Sequence, residues 1–344
     1  MYSESDIDGA VTAGVLSPQA AEAFRRHVAA TQATPAVDEE HFRLLTGFND
    51  IFVSIAIVLL LAAVGQIGAR LAAPFPGALV AATSWGLANY FTARRRMALP
   101  SIILLLAFVG GVAGMLAGIA ALAGPHQPSQ RTGAIIAAGV ALITAGAAWL
   151  HWSRFAVPIT VAAGALALVG VLIGLTMAAI PAAQDAVWPL LFVAGIAVFA
   201  VAMRWDMSDR ERRTRRSDVA FWLHLAAAPM IAHPVFHMLG VFGGDVTLAT
   251  ALVVLALYLV FACVALAIDR RALLVSGLVY VLYAMYALFR SAGAVELSAA
   301  FTALVIGSGL LTLSALWQPM RRIVVGRLGD LGRRLPPTGT MPAA

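Results

Sequence analysis

Ten apolar stretches fill the chain between about residues 49 and 317, and none carries an Asp, Glu, Lys or Arg in its middle. Each is long enough for a helix to cross roughly 30 Å of hydrocarbon. Backbone polar groups cannot stay unpaired in lipid, so each stretch must be helical. The sequence therefore predicts an all-α, polytopic transmembrane bundle of about ten helices. We place the spans at 49–69, 75–93, 99–123, 132–151, 155–180, 187–203, 219–241, 246–268, 272–290 and 296–317.

The amino-acid composition agrees with this class. Of the 344 residues, 61% are hydrophobic and 12% are charged, whereas a soluble domain has roughly 45–50% apolar and 25% charged residues. The core of a water-soluble protein cannot bury so many apolar side chains, whereas membrane helices can expose them to lipid.

The positions of the arginines predict the orientation. All 23 basic residues are Arg. With the N-terminus inside, the outer segments hold only Arg70, Arg131 and Arg290, and the inner segments hold the other twenty. The positive-inside rule therefore places both termini in the cytoplasm. The net charge of +6 then indicates contact with lipid headgroups, so nucleic acid is not an expected partner.

Three regions follow from this layout. Residues 1–45 are predicted to form a cytoplasmic helical segment and linker, in which Gly14 ends one helix and Ser17-Pro18 caps the next. Residues 46–320 form the transmembrane domain, and residues 321–344 form a basic cytoplasmic tail. The absence of Lys, with abundant Ala, Gly and Arg, suggests a GC-rich bacterial genome, so we expect a multi-pass protein of the bacterial inner membrane.

Span seven is the most unusual segment, because it contains Pro229, Pro234 and three histidines, His224, His233 and His237. A proline inside a helix removes a backbone hydrogen bond, so we expect an interruption here. His233 and His237 share a helix face, and His224 falls on roughly the opposite side. Three interpretations stay open: half of a metal or haem site, a proton relay or ligand contact, or neutral histidines bonded to neighbouring helices.

Span nine carries a polar stripe that consists of Ser276, Tyr280, Tyr283, Tyr286 and Arg290. These residues fall within one face of a helix. The stripe is either the wall of a solute path, with tyrosine hydroxyls as donors, or a set of tyrosines that pack inside the bundle and at the headgroup level.

The loop at 204–218 is rich in arginine, including Arg212, Arg213, Arg215 and Arg216. A solvated loop near the lipid surface explains this composition. Binding of anionic lipid or of an acidic cytoplasmic partner is the alternative.

Glycines at four-residue spacing predict close helix packing. Span three has Gly110, Gly114 and Gly118, and span five has Gly170 and Gly174. Small residues at this spacing let two helices approach closely.

No motif indicates an enzyme or a cofactor. The chain has no phosphate loop, dinucleotide fingerprint or zinc-ligand spacing, and Cys263 is its single cysteine. Ser308 lies between two glycines but has no evident His partner, so we assign no catalytic residue, metal ligand or cofactor.

Four segments carry a family resemblance: Gly-Val-Leu-Ser-Pro-Gln-Ala-Ala, Trp-Gly-Leu-Ala-Asn-Tyr-Phe-Thr-Ala-Arg-Arg-Arg, Phe-Trp-Leu-His-Leu-Ala-Ala-Ala-Pro and Leu-Trp-Gln-Pro-Met-Arg-Arg. In these the chain resembles bacterial multi-pass membrane proteins of unknown function that have a short N-terminal helical pair. The resemblance implies the architecture and the bacterial inner membrane, and it implies no functional residues.

The leading hypothesis is a transporter-like or channel-like protein for a small, neutral or weakly polar solute. Because the spans hold no carboxylate, a carboxylate-driven antiporter is disfavoured, and His233 or His237 is the expected proton carrier. The alternative is a non-catalytic scaffold or accessory subunit that binds a cytoplasmic protein. Membrane lipids are expected partners in either case.

Overall fold

In a computed structural model of the chain, the described residues are 4–24, 48–125, 127–180, 183, 185–209, 214–240, 247–291, 297–330, 332 and 335. Arg212 and Arg213 lie outside them, as does most of the predicted linker. The described elements are all helical, which confirms the predicted all-α class. The chain divides into two compact units, Met1–Arg43 and Leu44–Ala344.

The first unit contains two helices, α1 (Glu4–Thr12) and α2, whose described part covers 18–24. Gly14 follows α1 with φ +72°, a left-handed conformation that favours glycine. The Ser17 hydroxyl accepts a hydrogen bond from the Ala20 N–H at 3.1 Å, next to Pro18 at the first helical position. The predicted stop and cap are confirmed.

Within the described residues, the second unit contains ten long helices, and each coincides with one predicted span. A shorter helix, α13 (Trp317–Arg327), follows them. The ten are α3 (Phe48–Ala69), α4 (Phe75–Phe91), α5 (Ala98–Ala123), α6 (Gln130–Phe155), α7 (Ile159–Ala179), α8 (Val187–Ser208), α9 (Arg215–Met238), α10 (Leu248–Ile268), α11 (Ala272–Ser291) and α12 (Ser298–Ala315).

Among the described helices, eight are long and apolar enough to cross a membrane. The other two are shorter: α4 has 17 residues, and the apolar part of α11 covers Leu274–Arg290. The protein is therefore an integral, multi-pass membrane protein. Below, the words inner and outer refer to the predicted orientation.

Close backbone contacts join α4 to α5. A Cβ atom at Gly77 would lie 2.2 Å from the Met115 nitrogen, and one at Gly118 would lie 2.4 Å from the Ala73 carbonyl oxygen. Gly111 also faces α4, whereas a Cβ at Gly110 would meet no described atom within 4 Å. The packing face of α5 therefore includes Gly111 and not Gly110, which corrects the predicted register.

The predicted packing glycines of α7 are confirmed against α6. A Cβ atom at Gly170 would lie 3.2 Å from the Ala141 Cβ, and one at Gly174 would lie 3.0 Å from the Ala134 carbonyl oxygen. Because α6 packs closely on α7, and α8 packs equally closely on α9, these four helices form two tight pairs.

The central helix of the bundle is α9. In its apolar window 67% of the residues are buried, against 17–50% in the other seven candidate spans. It packs against α7, α8 and α11. Pro229 and Pro234 lie inside this helix, which is continuous from Arg215 to Met238, so the expected interruption is wrong. Each proline removes only one N–H donor, and packing on several sides holds the helical conformation.

Candidate functional site

Three ionisable side chains meet at the inner end of the bundle, and we name them the inner network: Asp206, His224 and Arg270. Their exposed fractions are only 1%, 1% and 2%. Asp206 Oδ2 accepts hydrogen bonds from His224 Nε2 and Arg270 Nε, each at 3.1 Å. Arg270 Nη2 donates to Asp206 Oδ1 and, at 3.2 Å, to the Ser217 carbonyl oxygen. The Arg–Asp contact is thus bidentate, the strongest common geometry of an ion pair.

Local structure brings these groups together from three elements. Helix α8 continues to Ser208, five residues beyond the predicted span, and Asp206 lies in this extension. His224 comes from α9, two turns after its start. Arg270 comes from the corner between α10 and α11, where Asp269 adopts a left-handed conformation with φ 58°. The Arg270 N–H bonds back to the Ala265 carbonyl oxygen at 3.0 Å, which closes the end of α10.

The same corner also binds α13. Asp269 Oδ1 accepts a hydrogen bond from Trp317 Nε1 at 2.8 Å and lies 3.6 Å from Arg321 Nε. The fully buried Arg321 also donates to the Leu266 carbonyl oxygen at 3.2 Å. Two adjacent residues, Asp269 and Arg270, therefore contact different parts of the bundle, and the corner links α8 and α9 to α13.

The inner network holds two opposite charges within the protein. The carboxylate and the guanidinium neutralise each other, and His224 contacts the same carboxylate oxygen. Breaking a buried pair leaves an uncompensated charge, so separation of α8 from the α10–α11 corner is costly. The predicted spans contain no carboxylate in their middle, and Asp206 reaches His224 because α8 extends beyond its predicted span.

A second polar site lies about nine residues further along α9. His233 Nδ1 and the Tyr280 hydroxyl oxygen are 2.6 Å apart. Trp188 of α8 stacks on His237 with ring centroids 4.3 Å apart, and its ring centroid lies 4.9 Å from that of His233. Phe236 stacks on Tyr280 at 4.3 Å. The structure thus brings His233, His237 and Tyr280 together, and it places His224 apart from them in the inner network.

The tyrosine stripe of span nine divides between two environments. Tyr280 is half-buried against α9, whereas Tyr283 and Tyr286 are 40% and 37% exposed on the surface of the bundle. Arg290 is exposed and Ser276 is half-buried. Exposed tyrosines in a membrane protein contact lipid or headgroups, so Tyr283 and Tyr286 do not share the environment of Tyr280.

Arg215 and Arg216 begin α9 at the inner end, and both side chains are exposed. Their positions allow contact with headgroups or with a partner.

A cavity of about 600 Å³ lies where the α6–α7 pair meets the α8–α9 pair. This volume is within the range of ligand sites, roughly 300–1,000 Å³. Its described lining is apolar apart from Gln130, and it consists of Gln130, Gly133, Ala134, Ala137, Leu166, Val169, Gly170, Ile173, Gly174, Met177, Leu191 and Met230.

Within the described part of the chain, no three His, Cys, Asp or Glu side chains lie close enough together to hold a metal ion.

No protein-family model, curated protein or solved structure matches the chain.

Proposed function

We propose that the protein is a transporter-like protein of a bacterial inner membrane that moves a small, weakly polar solute, with α9 lining the path. One observation carries this proposal: the most buried helix of the bundle holds polar groups at two depths, the inner network and the His233–Tyr280 pair. Ionisable residues inside membrane helices are costly and mark solute or ion pathways.

The two polar sites have different roles in this proposal. The His233–Tyr280 pair offers a donor and an acceptor to a solute hydroxyl or carbonyl near the middle of the membrane, where transporters commonly bind their substrates. Neither group carries a fixed charge, which suits a weakly polar solute better than an ion.

In this proposal the inner network closes the inner end of the path. Asp206 contacts α9 through His224 and the α10–α11 corner through Arg270. Separation of these contacts would open a route from the His233–Tyr280 pair to the inner surface. A proton that binds Asp206 would weaken its attraction to Arg270, so a carboxylate is again a candidate for coupling.

Chemical labelling tests whether water reaches this path. In a Cys263→Ala background, we expect the thiol of a Tyr280→Cys variant to react with a membrane-impermeant methanethiosulfonate from at least one side of reconstituted vesicles. A Ser276→Cys variant, one turn away on the same helix, provides a second position if Tyr280→Cys does not fold.

Tyr283→Cys is the matched control, because Tyr283 lies on the exposed surface of α11 within the apolar stretch. Its thiol should face lipid and stay unlabelled. If the Tyr280→Cys and Ser276→Cys thiols stay as unreactive as the control from both sides, water does not reach the contact between α9 and α11, and the proposal fails.

A scaffold is the second candidate, and the first unit favours it. Within the unit Met1–Arg43, Val15 is 79% exposed and Phe24 is 45% exposed, although both are apolar. Apolar side chains exposed in this way can bind a partner helix. A Val15→Asp, Phe24→Asp variant should lose a co-purifying cytoplasmic protein. Full transport activity of the purified wild-type chain alone would count against this role.

A further inference from the structure

The cavity between the two helix pairs has the length of one membrane leaflet. Its lining residues on α7 extend from Leu166 to Met177, and eleven residues of helix cover roughly 16 Å. One leaflet is half of a hydrocarbon core of roughly 30 Å. Met177 and Gln130 lie at the outer ends of α7 and α6. The cavity therefore runs from the outer membrane surface to about the middle of the bilayer.

The walls of the cavity are suited to hydrocarbon. On α6, Gln130, Gly133, Ala134 and Ala137 follow the spacing of one helix face. Small side chains there leave the space open, the larger apolar side chains of α7 line the same side, and Leu191 of α8 and Met230 of α9 line it from the other helix pair. A polar solute would lose its hydration on these walls and gain few hydrogen bonds.

The cavity also opens toward lipid rather than toward water. Leu166 is 45% exposed at its border, and Ala137 is exposed as well. Within membrane-spanning helices, exposed apolar side chains face the acyl chains of the bilayer. A ligand can thus enter sideways from the outer leaflet.

A positive charge lies one residue after Gln130, the outermost cavity residue of α6. Arg131 is exposed and follows Gln130 in the first turn of α6. It is one of only three arginines that the predicted orientation assigns to the outer side. Ser129 caps the same helix, whose N-terminal end carries a partial positive charge. The apolar walls of the cavity suit an acyl chain, and the nearby cation suits an anionic headgroup. Together they fit an anionic amphiphile.

We propose that this cavity binds one acyl chain of an anionic phospholipid of the outer leaflet, with its phosphate beside Arg131 and Gln130. The inference does not depend on the transport proposal, because a bound lipid can be structural, regulatory or a substrate. The occupant is a membrane lipid rather than a second copy of the chain, since the cavity matches one leaflet in length and has apolar walls.

Native mass spectrometry of the full-length chain in detergent tests the proposal, with phosphatidylglycerol and phosphatidylcholine of identical acyl chains as probes. Because one arginine lies near the headgroup, the protein should bind phosphatidylglycerol about fivefold more tightly than phosphatidylcholine. The Arg131→Gln variant should lose this preference and keep the weaker binding of phosphatidylcholine. Equal binding of both lipids to the wild type would overturn the assignment of the headgroup.

A variant that fills the cavity tests the assignment of the acyl chain. A Cβ atom at Gly133 would meet no described atom within 4 Å, so a Gly133→Leu side chain begins without a backbone clash. We expect it to reduce binding of both lipids about tenfold, from the loss of about two buried methylene contacts.

Gly139→Leu is the matched control on the same helix. Its Cβ also meets no described atom within 4 Å, and Gly139 does not line the cavity. Its lipid binding should equal that of the wild type. If Gly133→Leu and Gly139→Leu bind both lipids equally well, the chain does not occupy this cavity and the proposal is wrong. Ala137→Phe, a second filling variant, decides the matter if Gly133→Leu does not fold.

Discussion

Arg270→Met is the substitution that most sharply tests the inner network. It removes three described hydrogen bonds, two to Asp206 and one to the Ser217 carbonyl oxygen. Methionine fills a similar apolar volume, so the main change is electrostatic. Asp206 would stay buried at 1% exposure, and His224 would be its remaining described donor.

The expected cost is large. Removal of one partner from a buried ion pair lowers the free energy of unfolding by about 3–5 kcal/mol. That is a hundredfold to several-thousandfold change in the unfolding equilibrium, at about 1.4 kcal/mol for each factor of ten. Unfolding of the purified protein in mixed micelles, followed by tryptophan fluorescence, measures it. Arg204→Met, at an exposed arginine of the same α8, is the control and should change stability by no more than about 0.5 kcal/mol.

The double variant Asp206→Leu, Arg270→Met separates the ion pair from packing. Without either charge, the site is apolar except for His224, whose lost acceptor costs about 1–3 kcal/mol. The double variant should therefore be more stable than Arg270→Met alone. An Arg270→Met cost below about 1 kcal/mol, or a double-variant cost equal to the sum of the two single costs, would refute the buried pair.

Two further predictions concern packing and the α10–α11 corner. Gly77→Ala should lower the free energy of unfolding by about 3 kcal/mol, because the added Cβ would overlap the backbone of α5. Gly86→Ala on the same helix is the control, since a Cβ there meets no described atom within 4 Å. This variant should be as stable as the wild type or more stable by up to about 1 kcal/mol. Trp317→Phe should cost about 1.5–3 kcal/mol for its bond to Asp269, whereas Trp149→Phe, at 70% exposure, should cost little. Thermal unfolding of each variant and its control measures these changes in stability. If a variant and its control had equal unfolding midpoints, the contact assigned to Gly77 or to Trp317 would be contradicted.

The helices themselves were predictable, because length and hydrophobicity are local properties of the sequence. Each predicted span has a helix in the structure, and the Ser17 cap follows from two adjacent residues. Beyond an apolar run, the sequence no longer predicts where a helix ends. Helix α8 ends at Ser208, five residues beyond its predicted span, and its last turn is polar. A prediction from hydrophobicity cannot detect a polar last turn.

The inner network was not predictable, because its contacts join residues that are distant in sequence. Asp206 and Arg270 are 64 residues apart, and each lies beside a membrane boundary where charged residues are ordinary. Only the packing of α8, α9 and the α10–α11 corner shows that these two are buried.

The behaviour of α9 and of the tyrosine stripe depends on neighbours too. Prolines disfavour a helix locally, but burial on several sides keeps α9 continuous through Pro229 and Pro234. A helix face of about 100° can border both the bundle interior and lipid, so Tyr280 and Tyr283 can share the predicted stripe and still lie in different environments. The pairing of His233 with Tyr280 required the contact of α9 with α11.

The predicted orientation of the bundle decides the meaning of both proposed sites, because it assigns the inner network to the cytosolic half and the mouth of the lipid cavity to the outer leaflet. Cysteine labelling of intact spheroplasts measures it directly, with Ser129→Cys and Ser208→Cys variants in a Cys263→Ala background. We predict that an impermeant maleimide labels the Ser129→Cys thiol at once and the Ser208→Cys thiol only after permeabilisation. The reverse pattern, or labelling of both thiols before permeabilisation, would contradict the account.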